Sequence, residues 1–294
     1  MSLFEGSATA IVTPFDDNGV NFNVFEELLE WQIEEGTDAA VICGTTGEAA
    51  SMTDEEKKDA IKFAVKIVNG RIPVIAGTGS NNTKTAKENS KWAENEGADG
   101  LLIVTPYYNK TTQKGLIEHY KTVVDGIKIP VIVYNVPSRT GLNVAPNTLY
   151  ELSKLDAVKA VKEASSDIAQ ITNVAALCRD IDIYSGNDDQ VVPVLSVGGK
   201  GVISTVSNII PKDVHMMVKK YLEGKIDEAR ELQLKMFNLV KALFIETNPI
   251  PVKTALNLMG KNVGNVRLPL IPMSDANREI LKQEMINYGL KVNG

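Results

Sequence analysis

Eight short runs rich in β-branched residues recur up to residue 204 of this 294-residue chain. They read SATAIV (7–12), AAVIC (39–43), IPVIAG (72–77), GLLIV (100–104), PVIVYN (130–135), AVKAV (157–161), IDIYS (181–185) and GVIS (201–204). Most are apolar almost throughout, as in parallel strands covered on both faces, rather than alternating as strands with one wet face do. About 20–30 residues separate successive runs, room for one helix and two loops. The repeat predicts an α/β fold, a (β/α)8 TIM barrel. An open doubly wound sheet is the competing arrangement, and the lack of G-x-G-x-x-G after the first run weakens its nucleotide-binding form. GTGS at 77–80 has no third glycine at the needed spacing.

Helices are legible between the runs. FNVFEELLEWQIEE (22–35) places apolar residues at 25, 28, 29 and 33 and ends before Gly36, a C-terminal cap. Thr53-Asp54-Glu55-Glu56 opens a second helix as a capping box, and Thr83–Glu96 forms a third, closed by Gly97. Beyond Gly224 the strand runs stop. Leu232, Met236, Leu239, Val240 and Leu243 form a core-facing helical stripe there, and the two prolines of NPIPVK (248–253) break one helix from the next. The expected organisation is a barrel over 1–224 and a helical C-terminal region over 225–294.

Composition excludes more than it suggests. Lys and Arg total 31 against 37 Asp and Glu, a net charge of −6 with no basic block, which argues against a nucleic-acid backbone or an anionic membrane as partner. No stretch approaches the ~20 apolar residues of a membrane span. The N-terminal residues lack the charged and apolar regions of a signal peptide, so a cytoplasmic location is expected. Cys43 and Cys178 read as buried free thiols. His119 and His215 have no metal-ligand spacing, so no metal is expected.

The sixth run carries two lysines, and strand alternation separates them. Val158, Ala160 and Lys162 fall on one face, with Lys159, Val161 and Glu163 on the other. Alternation alone leaves open which face is inward. The fifth run ends in Tyr134, and adjacent strand ends at a barrel mouth bring Tyr134 and Lys162 side by side. A lysine amine is almost wholly protonated in water near neutral pH, burial favours its neutral form, and a phenol can move the protons of imine formation. An interior lysine that merely plugs the barrel has the same spacing. Lys159, nearer the strand's middle, is expected to face the helices and snorkel outward. CGTTGEAAS (43–51), at the mouth, offers backbone N–H groups and hydroxyls to a carboxylate, and TPYYNK (105–110) supplies two adjacent tyrosines.

Together these stretches resemble the dihydrodipicolinate synthase family of pyruvate-dependent class I aldolases. The resemblance runs along essentially the whole chain: GTTGE (44–48), IPVIAGTGSN (72–81), TPYYN (105–109), YNVPSRTG (134–141), KEAS (162–165), SGND (185–188), GVIS (201–204) and NPIPVK (248–253). YNVP and the strand-six lysine occur widely in the superfamily, which also holds N-acetylneuraminate and keto-deoxy-sugar acid lyases; Arg139, GTTGE and TPYYN are more specific.

The resemblance implies condensation of pyruvate with L-aspartate-4-semialdehyde, the first committed step toward diaminopimelate and lysine. It implies an imine on Lys162; a proton relay of Tyr134, Thr45 and Tyr108, the last donated across a tight dimer; and a pyruvate carboxylate held by the backbone of Thr45 and Thr46. It further implies that Arg139 grips the aldehyde substrate's carboxylate, that Gly186 and Ile203 lie near bound pyruvate, that no metal or organic cofactor is used, and that two tight dimers form a tetramer. Asn81 and Tyr107 match the family's lysine-inhibition pocket, whereas Ala49, Asp54, Lys57 and Thr85 depart from its polar set, so weak or absent lysine inhibition is expected. A polyhydroxylated substrate tail would want neutral groups where Arg139 stands, which argues against a sugar-acid lyase. Lys162, Tyr134, Thr45 and Tyr108 together argue against a catalytically dead sensor barrel.

Overall fold

The computed structural model describes residues 2–293. Eight parallel strands close into a barrel in chain order: β1 (Gly6–Ala10), β2 (Ala39–Ile42), β3 (Val74–Gly77), β4 (Gly100–Val104), β5 (Val131–Asn135), β6 (Val158–Glu163), β7 (Asp182–Ser185) and β8 (Gly201–Ser204). Closure comes from β8 pairing back on β1, from Gly6↔Gly201 to Thr9↔Ser204. The expected TIM barrel is the observed fold. Each strand leads to a helix: α1 (Phe22–Glu34), α2 (Asp54–Val68), α3 (Thr83–Asn95), α4 (Gln113–Val124), α5 (Pro146–Leu152), α6 (Ile168–Leu177), α7 (Val191–Ser196) and α8 (Pro211–Leu222).

Side-chain alternation sorts the core into two layers. Ala8, Ala10, Ala39, Val41, Ile75, Leu102, Ile132, Ala160, Tyr184 and Ile203 fill the barrel interior. Their strand neighbours, such as Val74, Leu101, Val133 and Val161, pack outward against the helices. Both faces are dry, and for that reason the runs read as continuous rather than alternating. The floor is closed by Phe4, whose ring stacks on Tyr184 at 4.2 Å while the Tyr184 hydroxyl donates to Phe4 O at 2.7 Å.

The local signals act as expected, with small shifts. Helix α2 opens on a complete capping box: Thr53 Oγ1 accepts from Glu56 N, and Glu56 Oε2 accepts from Thr53 N. Helix α1 buries Phe25, Leu28 and Leu29, but the fourth inward residue is Gln32 rather than Ile33. Gln32 earns that place by hydrogen bonding: its Oε1 accepts from Thr9 and Thr37 hydroxyls and its Nε2 donates to Ser207 O at 3.0 Å. The GTGS glycines serve packing: a Cβ on Gly77 would lie 2.2 Å from Cys43 O. Cys43 and Cys178 are buried free thiols.

Three further helices follow, α9 (Ile226–Leu243), α10 (Ile250–Leu258) and α11 (Asp275–Tyr288). Met236, Leu239, Val240 and Leu243 are buried as the stripe predicted, with Leu232 at its edge. The break falls earlier than NPIPVK suggested. It spans 244–249, and Pro251 and Lys253 lie inside α10, where a first-turn proline has no hydrogen bond to lose. These helices share one apolar core with the barrel: Met236, Val252, Leu281 and Met285 join the cluster that holds Val12 and Val206. Among the described residues no helix is long and apolar enough to cross a membrane.

Candidate active site

Strands β5 and β6 set the site. Their register pairs Tyr134 with Lys162 and Asn135 with Glu163 at the C-terminal end of both strands. Lys162 is 6% exposed and Tyr134 7%, and the Lys162 Nζ stands 4.5 Å from the centroid of the Tyr134 ring. The pair is therefore side by side and inward, as the strand ends implied. Directly behind it, Asn135 Nδ2 donates to both Glu163 carboxylate oxygens at 3.0 and 3.1 Å, and Ser165 N donates to Glu163 Oε1 at 2.8 Å. Burial raises the Glu163 pKa, and the Asn135 hydrogen bonds oppose the shift. This cross-strand rivet ties the two strand ends together on the helix side.

Alternation failed at one point. Val131 pairs with Val158 but Ile132 pairs with Ala160, so Lys159 is the extra residue of a β-bulge. Val158 consequently packs in the helix-side cluster with Val131 rather than sharing the face of Ala160 and Lys162. Lys159 is exposed at the bulge.

A cavity of about 310 Å³ opens at the mouth, lined among others by Thr45, Tyr134 and Arg139. Lys162 is not among its lining residues, but its Nζ stands 4.5 Å from the centroid of the Tyr134 ring that is. Thr45 belongs to the 44–48 loop after β2, a loop fixed from several sides. Thr13 Oγ1 donates to Gly47 O at 2.7 Å, and Asn248 Nδ2 donates to Thr46 Oγ1 at 2.9 Å. Arg139 follows β5 on a one-turn helix, Pro137–Thr140, and its Nη2 donates to Asn248 O at 3.2 Å. Gly186 N donates to Glu163 O at 2.7 Å, and a Cβ on Gly186 would meet Ala164 Cβ at 2.6 Å, so only glycine allows β7 this close to the β6 end. Ile203 is 1% exposed in the barrel interior.

One expected residue stands apart. Tyr108 is 90% exposed with φ +70°, and it is its neighbour Tyr107 that lines the cavity.

Several polar residues at the site lie in the quoted motifs but were given no role from the sequence. Asp188 is buried; Thr205 N and Val206 N donate to its Oδ2 at 3.0 and 3.2 Å. Burial raises its pKa, while these donors, Ser204 and the Lys162 charge act in the other direction. Lys253, 1% exposed, donates to Glu48 Oε1 at 2.9 Å, Thr13 O at 3.1 Å and Asn265 O at 2.9 Å. Burial lowers the Lys253 pKa and the Glu48 charge opposes it. A charge within an otherwise apolar strand end was the available signal for Glu163. For Lys253 the partner lies 205 residues away, and no local pattern marks it.

The fold and site define a class: a (β/α)8 barrel that sets a buried amine against a tyrosine at the strand C-termini, beside a small-molecule cavity. Residues 3–287 match the model of the Dihydrodipicolinate synthetase family. The chain is 60% identical over 292 residues to the 4-hydroxy-tetrahydrodipicolinate synthase of Clostridium tetani, covering 99% of each, and 59% identical over 293 residues to that of Caldicellulosiruptor bescii, again covering 99% of each. Among solved structures, dihydrodipicolinate synthase from Aquifex aeolicus superposes with a TM-score of 0.97 at 42% identity, over 99% of this chain and 100% of that one. The chain belongs to the dihydrodipicolinate synthetase family and is a lyase with the 4-hydroxy-tetrahydrodipicolinate synthase activity of diaminopimelate and lysine biosynthesis.

Proposed function

We propose that this chain condenses pyruvate with L-aspartate-4-semialdehyde through an imine on Lys162. The observation that carries the reading is the paired, buried placement of Tyr134 and Lys162 at neighbouring strand ends. Neutral Lys162 attacks the pyruvate ketone, and loss of water gives the imine. The imine withdraws electrons, so a methyl proton leaves and an enamine forms. The enamine carbon attacks the aldehyde; the substrate's own amine then attacks the imine carbon, closing the ring and releasing Lys162. Tyr134 and Thr45 pass protons within one chain. Tyr108, exposed and outside its own cavity, is supplied to the relay by a second copy across a tight dimer, and two such dimers make the tetramer. Backbone N–H groups of Thr45 and Thr46 hold the pyruvate carboxylate. Gly186 and Ile203 border the bound keto acid. Arg139, at the cavity wall, grips the semialdehyde carboxylate as a fixed, forked cation. The reaction needs no cofactor, and the enzyme works in the cytoplasm.

Feedback by lysine is weak or absent in this reading. The same cavity is walled by Ala49, Lys57, Thr85 and Tyr107, and Lys57 is salt-bridged to Asp54 at 2.6 Å. A lysine ligand would bring its ammonium beside a cation and find no carboxylate on the cavity wall. A relative from Cyanidioschyzon merolae has been solved with lysine bound, at 37% identity and a TM-score of 0.95 over 99% of this chain and 100% of that one. Turnover measured against added lysine separates the cases: inhibition at sub-millimolar lysine overturns this part. The imine is tested by borohydride reduction with pyruvate and mass measurement. Wild type should gain a reduced pyruvate adduct and Lys162→Ala should not; an undiminished adduct in the variant overturns the assignment.

A further inference from the structure

We propose that the buried Lys253–Glu48 ion pair is a positioning device for the pyruvate-holding loop, through which the C-terminal helices set affinity for the keto acid. The inference rests on the reading that residues 44–48 receive the pyruvate carboxylate.

Glu48 ends that loop in the left-handed region, at φ +55°, where a residue with a side chain is disfavoured and must be held by its surroundings. Both its oxygens are held from the far end of the chain. Oε1 accepts from Lys253 Nζ and Oε2 accepts from the Arg267 backbone N–H, each at 2.9 Å. The amine's remaining hydrogens go to Thr13 O and Asn265 O, so its three donors meet three acceptors. An ammonium so saturated, away from the cavity wall, is no second imine-forming nucleophile. Its partners instead bracket the loop. Thr13 also bonds Gly47 O, and Asn248, on the segment leading into α10, bonds Thr46 Oγ1.

Apolar packing is non-directional and would tolerate a loop that slides, whereas charge-assisted hydrogen bonds fix where Glu48 stands. The carboxylate contact of pyruvate is made on binding and kept through the reaction. Loosening the loop therefore weakens that contact: pyruvate KM rises, kcat falls only as far as Thr45 of the same loop is displaced from the relay, and aldehyde KM is unmoved because Arg139 holds that substrate. A purely structural pair would lower stability and active fraction without moving pyruvate KM.

Three variants carry the test: Lys253→Met, the charge-free double variant Glu48→Gln/Lys253→Met, and Glu48→Asp, which shortens the reach by one methylene and keeps the charge. Steady-state kinetics on both substrates are run beside borohydride trapping titrated with pyruvate. In each variant that folds, pyruvate KM and the half-saturating pyruvate for trapping should rise about 10-fold, with aldehyde KM within about twofold of wild type. If the folded double variant or Glu48→Asp keeps wild-type pyruvate KM, the pair is structural only and the proposal fails. Wild type failing to trap pyruvate would instead overturn the underlying reading, whatever the variants do.

Discussion

The barrel mouth and the seam between barrel and C-terminal helices each bury a lysine, at 6% exposure for Lys162 and 1% for Lys253. Both also lie over an aromatic ring, 4.5 Å from the Tyr134 centroid and 4.4 Å from that of Phe15. What differs is the set of acceptors. Lys253 is surrounded by a carboxylate and two carbonyl oxygens, which stabilise its charge in place. Lys162 faces a phenol ring at the edge of a cavity, with the buried Asp188 charge near enough to interact but engaged by other donors. Burial by itself does not make an amine reactive; the reactive one is left without a saturating cage, next to space for a substrate.

The largest test of that contrast is to remove each amine. Lys162→Ala should cut turnover on the order of a thousandfold or more, since no other group can form the imine. Its thermal stability should move by no more than about 2 kcal/mol, because the buried charge near it, Asp188, keeps its hydrogen bonds from Ser204, Thr205 and Val206. Lys253→Met should do the reverse. Removing one member of a buried pair strands the other, costing about 3–5 kcal/mol in denaturant unfolding, with the adduct on Lys162 still formed. A Lys253→Met protein as stable as wild type would erase the distinction between mouth and seam.

The barrel and the mouth were legible because their signals are local. Parallel strands buried on both faces are apolar residue after residue, and a strand-terminal Tyr134 and Lys162 need only adjacent pairing to meet. The seam was illegible because its determinants are distant. Nothing around Lys253 distinguishes a cation bound to Glu48 from a helix-surface lysine, and NPIPVK looked like a break because its prolines were visible and its partners were not. The bulge at Lys159 was hidden for a related reason: it exists only in the pairing with Val131, so alternation within one strand could not locate it. Tyr184 under Phe4 and Gln32 within α1 are further cases where a contact across the fold decides what a local pattern leaves open.

A second ion pair sharpens the comparison between buried and surface charge. Arg267 grips Glu56 through both guanidinium ends, at 2.9 and 2.7 Å, beside the Glu48 site. The Arg267 hydrogen bond is the main cause holding the Glu56 pKa down at about 2, below its ordinary 4.5. A lowered carboxylate pKa contributes stability that is full above the unfolded value and is lost as pH falls through the folded one. Wild type should therefore lose part of its stability between about pH 4.5 and 2, and Glu56→Gln should be less stable at neutral pH with the gap closing across that range. The effect should be smaller than at Lys253, because the pair is open to solvent, with side-chain exposures of 27% and 22%. A gap that stays constant with pH would mean that Glu56 acts by shape alone.

The smallest expected change separates Glu56's two roles. Its Oε2 accepts both from Arg267 and from the backbone N–H of Thr53, and Thr53 Oγ1 accepts in turn from Glu56 N. Thr53→Ala deletes only the hydroxyl half of the capping box and leaves the Arg267 pair in place. It should destabilise by about 1 kcal/mol, the usual worth of an N-cap side chain. The loss should be nearly independent of pH above 4.5, since Glu56 stays ionised there. Urea unfolding of Thr53→Ala at two pH values checks this. A loss as large as that of Glu56→Gln would mean that the cap holds the carboxylate for Arg267, and that helix start and seam form one coupled unit rather than two neighbours.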